Sequence, residues 1–264
     1  MNPGRNVACV WVFAGLDPSG GAGIQADIQA ISAAGAHTLP IITALTVQTN
    51  ERVYSVHPVD AAILREQCQA LINHDTRIDA VKIGIVGHAK NADVISETID
   101  QLRLINPQLP VVLDPVLASG LGDSLTQGDA VKALASLRQR ATLITPNLPE
   151  AQQLTQSDDR VSQAVRLLQD TPHVLIKGGH GTGHEVANTW FHHQGQRVWQ
   201  WSRLSGEFHG SGCTLASAVA ARLAQGMAME DALDAAQRYT QQSLDSAFRI
   251  ADGQLIPDRA VFES

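Results

Sequence analysis

The chain has 264 residues, of which 44% are hydrophobic, 17% charged and 4% aromatic. This balance excludes a disordered or low-complexity chain, and the length suits one large α/β domain or two small ones. The net charge of −7, from 19 Lys and Arg against 26 Asp and Glu with no basic block, argues against nucleic acid as a partner.

Val7 to Ala14 is a continuous apolar run of the kind that a strand buried on both faces requires. A glycine-rich loop follows, and then Ala22 to Ile31 carries Ile24, Ile28 and Ile31 at helical spacing, with Gly35 as the stop. Further strands are predicted at Leu39 to Thr46, Ala80 to Ile85, Val111 to Asp114, Ala141 to Thr145 and Val174 to Lys177. Amphipathic stretches at Ala61 to Ile72, Ala92 to Leu102 and Ala130 to Leu137 separate most of them. Glu185 to His192 and Arg197 to Trp201 read as a hairpin around Gln194-Gly195, with Trp190, Trp199 and Trp201 as packing or subunit-contact residues. Helices at Cys213 to Gln225 and Glu230 to Phe248 close the chain. Strands alternating with helices imply right-handed crossovers and a mostly parallel sheet covered on both faces. No proline-rich or charged linker divides the chain, so residues 1–264 are expected to form a single domain.

No stretch approaches about 18 uninterrupted apolar residues and residues 1–6 lack a secretion signal, so a soluble, cytoplasmic protein without a membrane partner is expected. Cys9, Cys68 and Cys213 are too scattered for a disulfide framework or zinc cluster and read as reduced thiols.

In such sheets ligands bind beyond the carboxyl ends of the strands, where two loops stand out. Asp17-Pro18-Ser19-Gly20-Gly21-Ala22-Gly23 permits close backbone approach to a polar ligand, or simply a tight turn into a helix. It is not a dinucleotide fingerprint, because no acidic residue follows near Ala44 to Gln48. Gly178 to His184 lacks the lysine and hydroxyl ending of a P-loop. The second loop, His209-Gly210-Ser211-Gly212-Cys213-Thr214, opens a long apolar helix whose free N–H groups form an anion site or merely allow close packing. The histidines at 180, 184, 192 and 193 lack the spacing of a zinc helix.

Asp17 to Gly23 with Gln25-Ala26-Asp27, Thr43-Ala44-Leu45 with Gln48, Val112 to Val116, Thr145-Pro146-Asn147-Leu148-Pro149-Glu150-Ala151, Lys177 to His180 and Gly210 to Thr214 occur in that order. Together they resemble the hydroxymethylpyrimidine/phosphomethylpyrimidine kinases of thiamine biosynthesis, within the ribokinase-like superfamily. The resemblance implies a ribokinase-like three-layer α/β/α sandwich with a mostly parallel central sheet. It also implies a homodimer that uses ATP and Mg²⁺ to phosphorylate 4-amino-5-hydroxymethyl-2-methylpyrimidine, its monophosphate, or both. Asp114 and Glu150 are the implied metal residues; Asn147, Lys177 and Ser211 face the nucleotide; Gly15, Asp17, Asp27, Gln48 and Ile85 bind the pyrimidine. Lys177, Gly210, Ser211, Gly212 and Cys213 are the implied catalytic set.

Several of these residues have ordinary explanations when taken singly. Glu150 balances a helix dipole, Lys177 is a strand-end lysine, and Asp27 is an exposed helix carboxylate. Cys213 stands where many ribokinase-like sugar kinases carry an aspartate, and a thiol spares an anionic phosphate acceptor from repulsion. At a helix N-terminus its pKa is expected to be lowered toward partial thiolate character. The chain departs from the family at Gly84-Ile85-Val86-Gly87, where members read glycine, methionine, leucine, and at Leu117-Ala118-Ser119-Gly120. Leu117 to Leu125, with Gly120 and Gly122, has the composition of a mobile loop. The alternatives are a pyridoxal kinase, whose substrate also carries a hydroxymethyl group on a nitrogen ring, and a non-catalytic pyrimidine sensor.

Overall fold

A computed structural model describes residues 6–117 and 129–261, so all of the expected loop except Leu117 lies outside the described residues. Strand β1 (Cys9–Leu16) runs into helix α1 (Gly23–Ala33), followed by β2 (His37–Gln48), β3 (Val53–Pro58) and α2 (Ala61–Asn73). Then come β4 (Ala80–Ile83), α3 (Ala89–Ile105), β5 (Val111–Leu113), the short helices α4 (Ala130–Ala133) and α5 (Ala135–Arg138), and β6 (Leu143–Ile144). Helices α6 (Leu148–Thr155) and α7 (Arg160–Leu167) lead to β7 (His173–Ile176), the hairpin β8 (Glu185–His192) and β9 (Gly195–Ser202), and finally α8 (Ser211–Ala224) and α9 (Met229–Asp245).

The strands form one sheet in the order β3-β2-β1-β4-β5-β6-β7-β8-β9. The strands from β2 to β7 in this row pair in parallel, while β3, β8 and β9 are antiparallel additions at the two edges. Side-chain alternation divides the core. Trp11 and Phe13 of β1 pack with Leu64, Ile95, Leu137 and Leu167 under α2 to α7, whereas Val10, Val12 and Ala14 pack with Ile24, Val219 and Leu233 under α1, α8 and α9. The result is the expected α/β/α sandwich. Along the chain the strand order moves outward on both sides of β1, so a crevice opens beyond the carboxyl ends of β1 and β4.

Three elements differ from expectation. The edge strand β3 and helix α7 were not anticipated, and the stretch Ala130 to Leu137 divides at Leu134 into α4 and α5. Among the described residues no helix is long and apolar enough to cross a membrane.

Candidate active site

A cavity of about 560 Å³ runs across the carboxyl ends of the strands from β2 to β9. All the sequence-predicted site residues except Asp27 line it.

At one end, the tip of β1 and its loop supply Gly15 and Asp17, β2 supplies Gln48, and the segment after β4 supplies Ile85. Asp17 accepts hydrogen bonds from the backbone N–H groups of Ser19 and Ala22, both at 2.8 Å, and lies 2.8 Å from His209 Nε2. Burial opposes its ionisation, but hydrogen bonds from His209, Gln48 and Ser19 outweigh that and hold the carboxyl well below the usual range. Asp17 therefore fixes the shape of its own loop and joins it to the loop before α8. Gly23 must be glycine, since its φ is +58° and a Cβ there would lie 2.3 Å from the Gly15 carbonyl oxygen.

In the middle, Asp114 follows β5, Asn147 caps α6, and Lys177 follows β7. The Lys177 ammonium donates to Asp114 Oδ1 at 2.8 Å, and the Thr145 hydroxyl reaches the same oxygen at 3.1 Å. Asn147 and Glu150 form a reciprocal capping box: the Asn147 N–H donates to Glu150 Oε2 at 2.7 Å and the Glu150 N–H to Asn147 Oδ1 at 2.8 Å. Burial pushes the Glu150 carboxyl up to about 7, with Lys177 pulling it down and Asp114 pushing it further up. Among the described residues no group of three His, Cys, Asp or Glu side chains could hold a metal ion. With only oxygen donors nearby, Asp114 and Glu150 would suit a hard divalent cation that keeps most of its waters, and not a metal enclosed wholly by protein.

The N-terminus of α8 closes over this cluster. Gly212 packs so tightly that a Cβ there would sit 2.9 Å from Lys177 Nζ, and Gly210, with φ of +82°, leaves no room for a Cβ beside the Gly21 carbonyl. Free N–H groups, the helix dipole and the Lys177 charge converge here on one point.

A family model described as phosphomethylpyrimidine kinase matches residues 17–257. The chain belongs to that family. A hydroxymethylpyrimidine/phosphomethylpyrimidine kinase of Rhizobium meliloti is 36% identical, covering 92% of both chains. A thiamine biosynthesis multifunctional protein of Corynebacterium efficiens is 38% identical over 92% of this chain, which spans about a third (34%) of that protein's length. Among solved structures, a Clostridium difficile phosphomethylpyrimidine kinase superposes with a TM-score of 0.76 at 32% identity, covering 89% of this chain and 99% of that one. A Bacillus subtilis pyridoxal kinase in complex with ADP gives 0.82 at 26% identity, covering 96% and 98%.

Within this family member, two expectations are corrected. Asp27 is fully buried and does not face the cavity: both its oxygens accept from Lys82, at 2.8 and 2.9 Å, and Ser217 donates to one of them at 2.7 Å. The Cys213 thiol is raised, not lowered. Desolvation at the cavity floor, where Cys213 is half-buried, pushes it up to about 11, and the nearby Asp27 and Asp114 add to the shift while Lys82 and the Gly23 N–H oppose it. A thiol raised in this way stays protonated and neutral near pH 7.

Other residues had been assigned no role at the site. Lys82 lines the cavity, and its signal was a lysine within a strand otherwise buried on both faces. Trp201, expected as a packing or subunit-contact residue, lines the far wall, with its indole N–H 3.2 Å from Gln237 Oε1, which also accepts from Asn188 at 2.9 Å. Arg203 donates to the Gly179 and Gly183 carbonyls at 2.8 Å and sets the glycine loop after β7.

Proposed function

We propose that this chain transfers the γ-phosphoryl group of ATP to the hydroxymethyl oxygen of 4-amino-5-hydroxymethyl-2-methylpyrimidine, and to the phosphate of the resulting monophosphate. The observation that carries the reading is the convergence of the α8 N-terminus, Lys177, Asp114 and Glu150 on one point of a cavity whose β2 end presents Gln48.

Phosphoryl transfer passes through a loose transition state, so the protein's contribution is positioning and charge neutralisation. In this reading Gln48, with an amide that both donates and accepts, holds the aminopyrimidine edge, beside Gly15 and Ile85. The N–H groups from Gly210 to Cys213 and the Lys177 ammonium hold the charge that develops on the transferring group. Asp114, Glu150 and Asn147 would hold Mg²⁺, which when bound neutralises phosphate oxygens as a Lewis acid. Trp201, Arg203 and His180, at the β7 to β9 end, bound the space left for the rest of the nucleotide. A homodimeric, cytoplasmic enzyme belongs to the same reading, and the exposed apolar Leu45, Val47 and Tyr54 on the β2–β3 hairpin support a face covered by a second copy.

The test is ADP release from Mg-ATP with the pyrimidine alcohol, its monophosphate and pyridoxal in parallel. Turnover on either pyrimidine is expected. Turnover on pyridoxal alone would keep the phosphate machinery and replace the acceptor, a second reading favoured by the likeness to the Bacillus subtilis pyridoxal kinase. Tight pyrimidine binding without turnover would make the protein a sensor.

A neutral Cys213 leaves an anionic acceptor unrepelled. Cys213→Asp places a carboxylate against it, and such like-charge contacts cost several kcal/mol. The variant should lower monophosphate turnover about tenfold or more relative to alcohol turnover. Equal losses on the two substrates would remove this role from Cys213.

A further inference from the structure

The last helix is not the end of the functional structure. After α9 the chain turns back, and residues 248–256 pair with themselves and with the loop before α8. Phe248 and Ile256 exchange backbone hydrogen bonds at 2.9 and 2.8 Å, Leu255 donates to the Glu207 carbonyl at 2.8 Å, and His209 donates to the Leu255 carbonyl at 2.9 Å. The Asn50 amide, at the turn between β2 and β3, donates to the carbonyls of Asp252 and Gln254 at 3.1 and 2.9 Å. The segment therefore touches both the hairpin that carries Gln48 and the loop that opens α8.

Three residues further on lies Arg259, only 2% exposed. The guanidinium donates to the Gly21 carbonyl, to Thr214 Oγ1 at 2.8 Å and to Gln29 Oε1 at 3.3 Å. Thr214 in turn donates to the Gly210 carbonyl at 2.9 Å, and the Tyr239 hydroxyl holds the Arg259 carbonyl at 2.9 Å. Among the described residues Arg259 forms no salt bridge: a buried cation spends its planar donors on neutral acceptors. A charge so buried is costly unless its donors are well hydrogen-bonded, and those of Arg259 are committed to these three acceptors. Two of these acceptors, Gly21 and Thr214, belong to the two glycine loops, one at the pyrimidine end and one at the phosphate end, and the third, Gln29, lies on α1. Nη2 sits directly behind Gly210, 2.8 Å from where a Cβ would stand.

We propose that Arg259 is a positioning residue for phosphoryl transfer: by bridging Gly21 to Thr214 it fixes the separation between the acceptor oxygen and the γ-phosphorus. The inference rests on the kinase reading above. Misplacement by about 1 Å can cost about 10²-fold in rate. A loosened bridge also admits water, whose oxygen forms the new bond to phosphorus while the bond to the ADP oxygen breaks and a proton goes to solvent.

The test compares wild type, Arg259→Met and Arg259→Lys. Total ADP release and phosphorylated pyrimidine are both measured, at a temperature where each variant retains its native circular dichroism. The expected result is a fall in pyrimidine phosphorylation of about 10- to 100-fold in both variants. The fraction of ATP lost to water should rise at least about tenfold, because lysine cannot span two acceptors as the planar guanidinium does. A variant that is merely less folded loses transfer and hydrolysis together, so an unchanged ratio overturns the proposal. Restoration of the ratio by Arg259→Lys would also overturn it, since charge alone would then suffice. If neither variant folds, Tyr239→Phe, which removes only the tether to the Arg259 carbonyl, should move the ratio in the same direction by a smaller factor; no movement overturns the proposal. A wild type inactive on every acceptor would instead overturn the kinase reading itself.

Discussion

Lys177→Met should lower kcat/KM for phosphoryl transfer by about 10²- to 10³-fold, the size of loss that follows removal of one pre-organised group from a transition-state charge site. The ammonium does not wander on its stem. Asp114 holds it at 2.8 Å, Gly212 packs against it, and β7 ends one residue before it. Burial works against its charge, yet Asp114 and Glu150 keep its pKa raised, so it is positive throughout the working range. Lys177→Arg should not rescue, because the guanidinium is larger and the first turn of α8 occupies the space it would need. A double-mutant cycle separates charge at the phosphate from charge in the fold. Asp114→Asn added to Lys177→Met should recover stability, since it removes the carboxylate left alone, but not activity.

The pH dependence of the single variant has a defined sign. Without Lys177 the Glu150 carboxyl loses the group that pulls it down and moves above about 7. An acid whose folded pKa exceeds its unfolded value binds more protons when folded, so stability falls as pH rises through that window. The melting temperature of Lys177→Met, measured without metal, should therefore drop from about pH 5 to about pH 8 by more than that of the wild type. A loss in activity below about tenfold would reduce Lys177 to a structural partner of Asp114.

The sequence made the central sheet legible because parallel strands buried on both faces are written as continuous apolar runs, as in β1, β5 and β7. Edge elements carry no such pattern. In β3, exposed Tyr54 and His57 break any alternation, and in α7 two valines, Val161 and Val165, face outward, so helical spacing of apolar residues pointed to no core. Helix α6 is short and carries Pro149 in its first turn; its start was legible only through Glu150 as a helix-start carboxylate, and the capping box with Asn147 emerges from the structure. At the site, residues contributed by strand ends and glycine loops were legible from motif and order. The orientation of a helix was not. Asp27 lies on the same inward side of α1 as Ile24 and Ile31, and what it meets there comes from β4 and α8. The rule that helix N-termini acidify thiols failed at Cys213 because desolvation at the half-buried cavity floor, together with the nearby Asp27 and Asp114 carboxylates, outweighs the helix end. Arg259 belongs to no motif, since its partners are a carbonyl, a hydroxyl and an amide far away in the chain.

Lys82→Met should produce the largest loss of stability among single changes near the site, about 3–5 kcal/mol at pH 7. Lys82 and Asp27 are both fully buried and in direct contact. Burial alone would lower the Lys82 pKa, but Asp27 beside it more than offsets this, and the ammonium stays charged. Removing the cation strands a carboxylate whose remaining polar partner is the Ser217 hydroxyl. The expected fall in melting temperature is roughly 6–20 °C, from about 2–4 °C per kcal/mol in a chain near this size. Stranded Asp27 takes up a proton more readily when folded than when unfolded, so the deficit should be smallest near pH 4 to 5 and grow as pH rises, in the sense given by proton linkage. Adding Asp27→Asn removes the charge at nearly constant volume and should return most of the stability, because a buried pair replaced by neutral groups is close to neutral in net effect. That double variant answers a question about function. Lys82 forms part of the cavity floor, and its charge is among those acting on Cys213. If the stable double variant transfers phosphate at the wild-type rate, the pair serves the fold alone. If it folds and transfers poorly, the positive charge beneath the first turn of α8 belongs to the phosphate site, and Asp27 acts on the reaction only by holding it there.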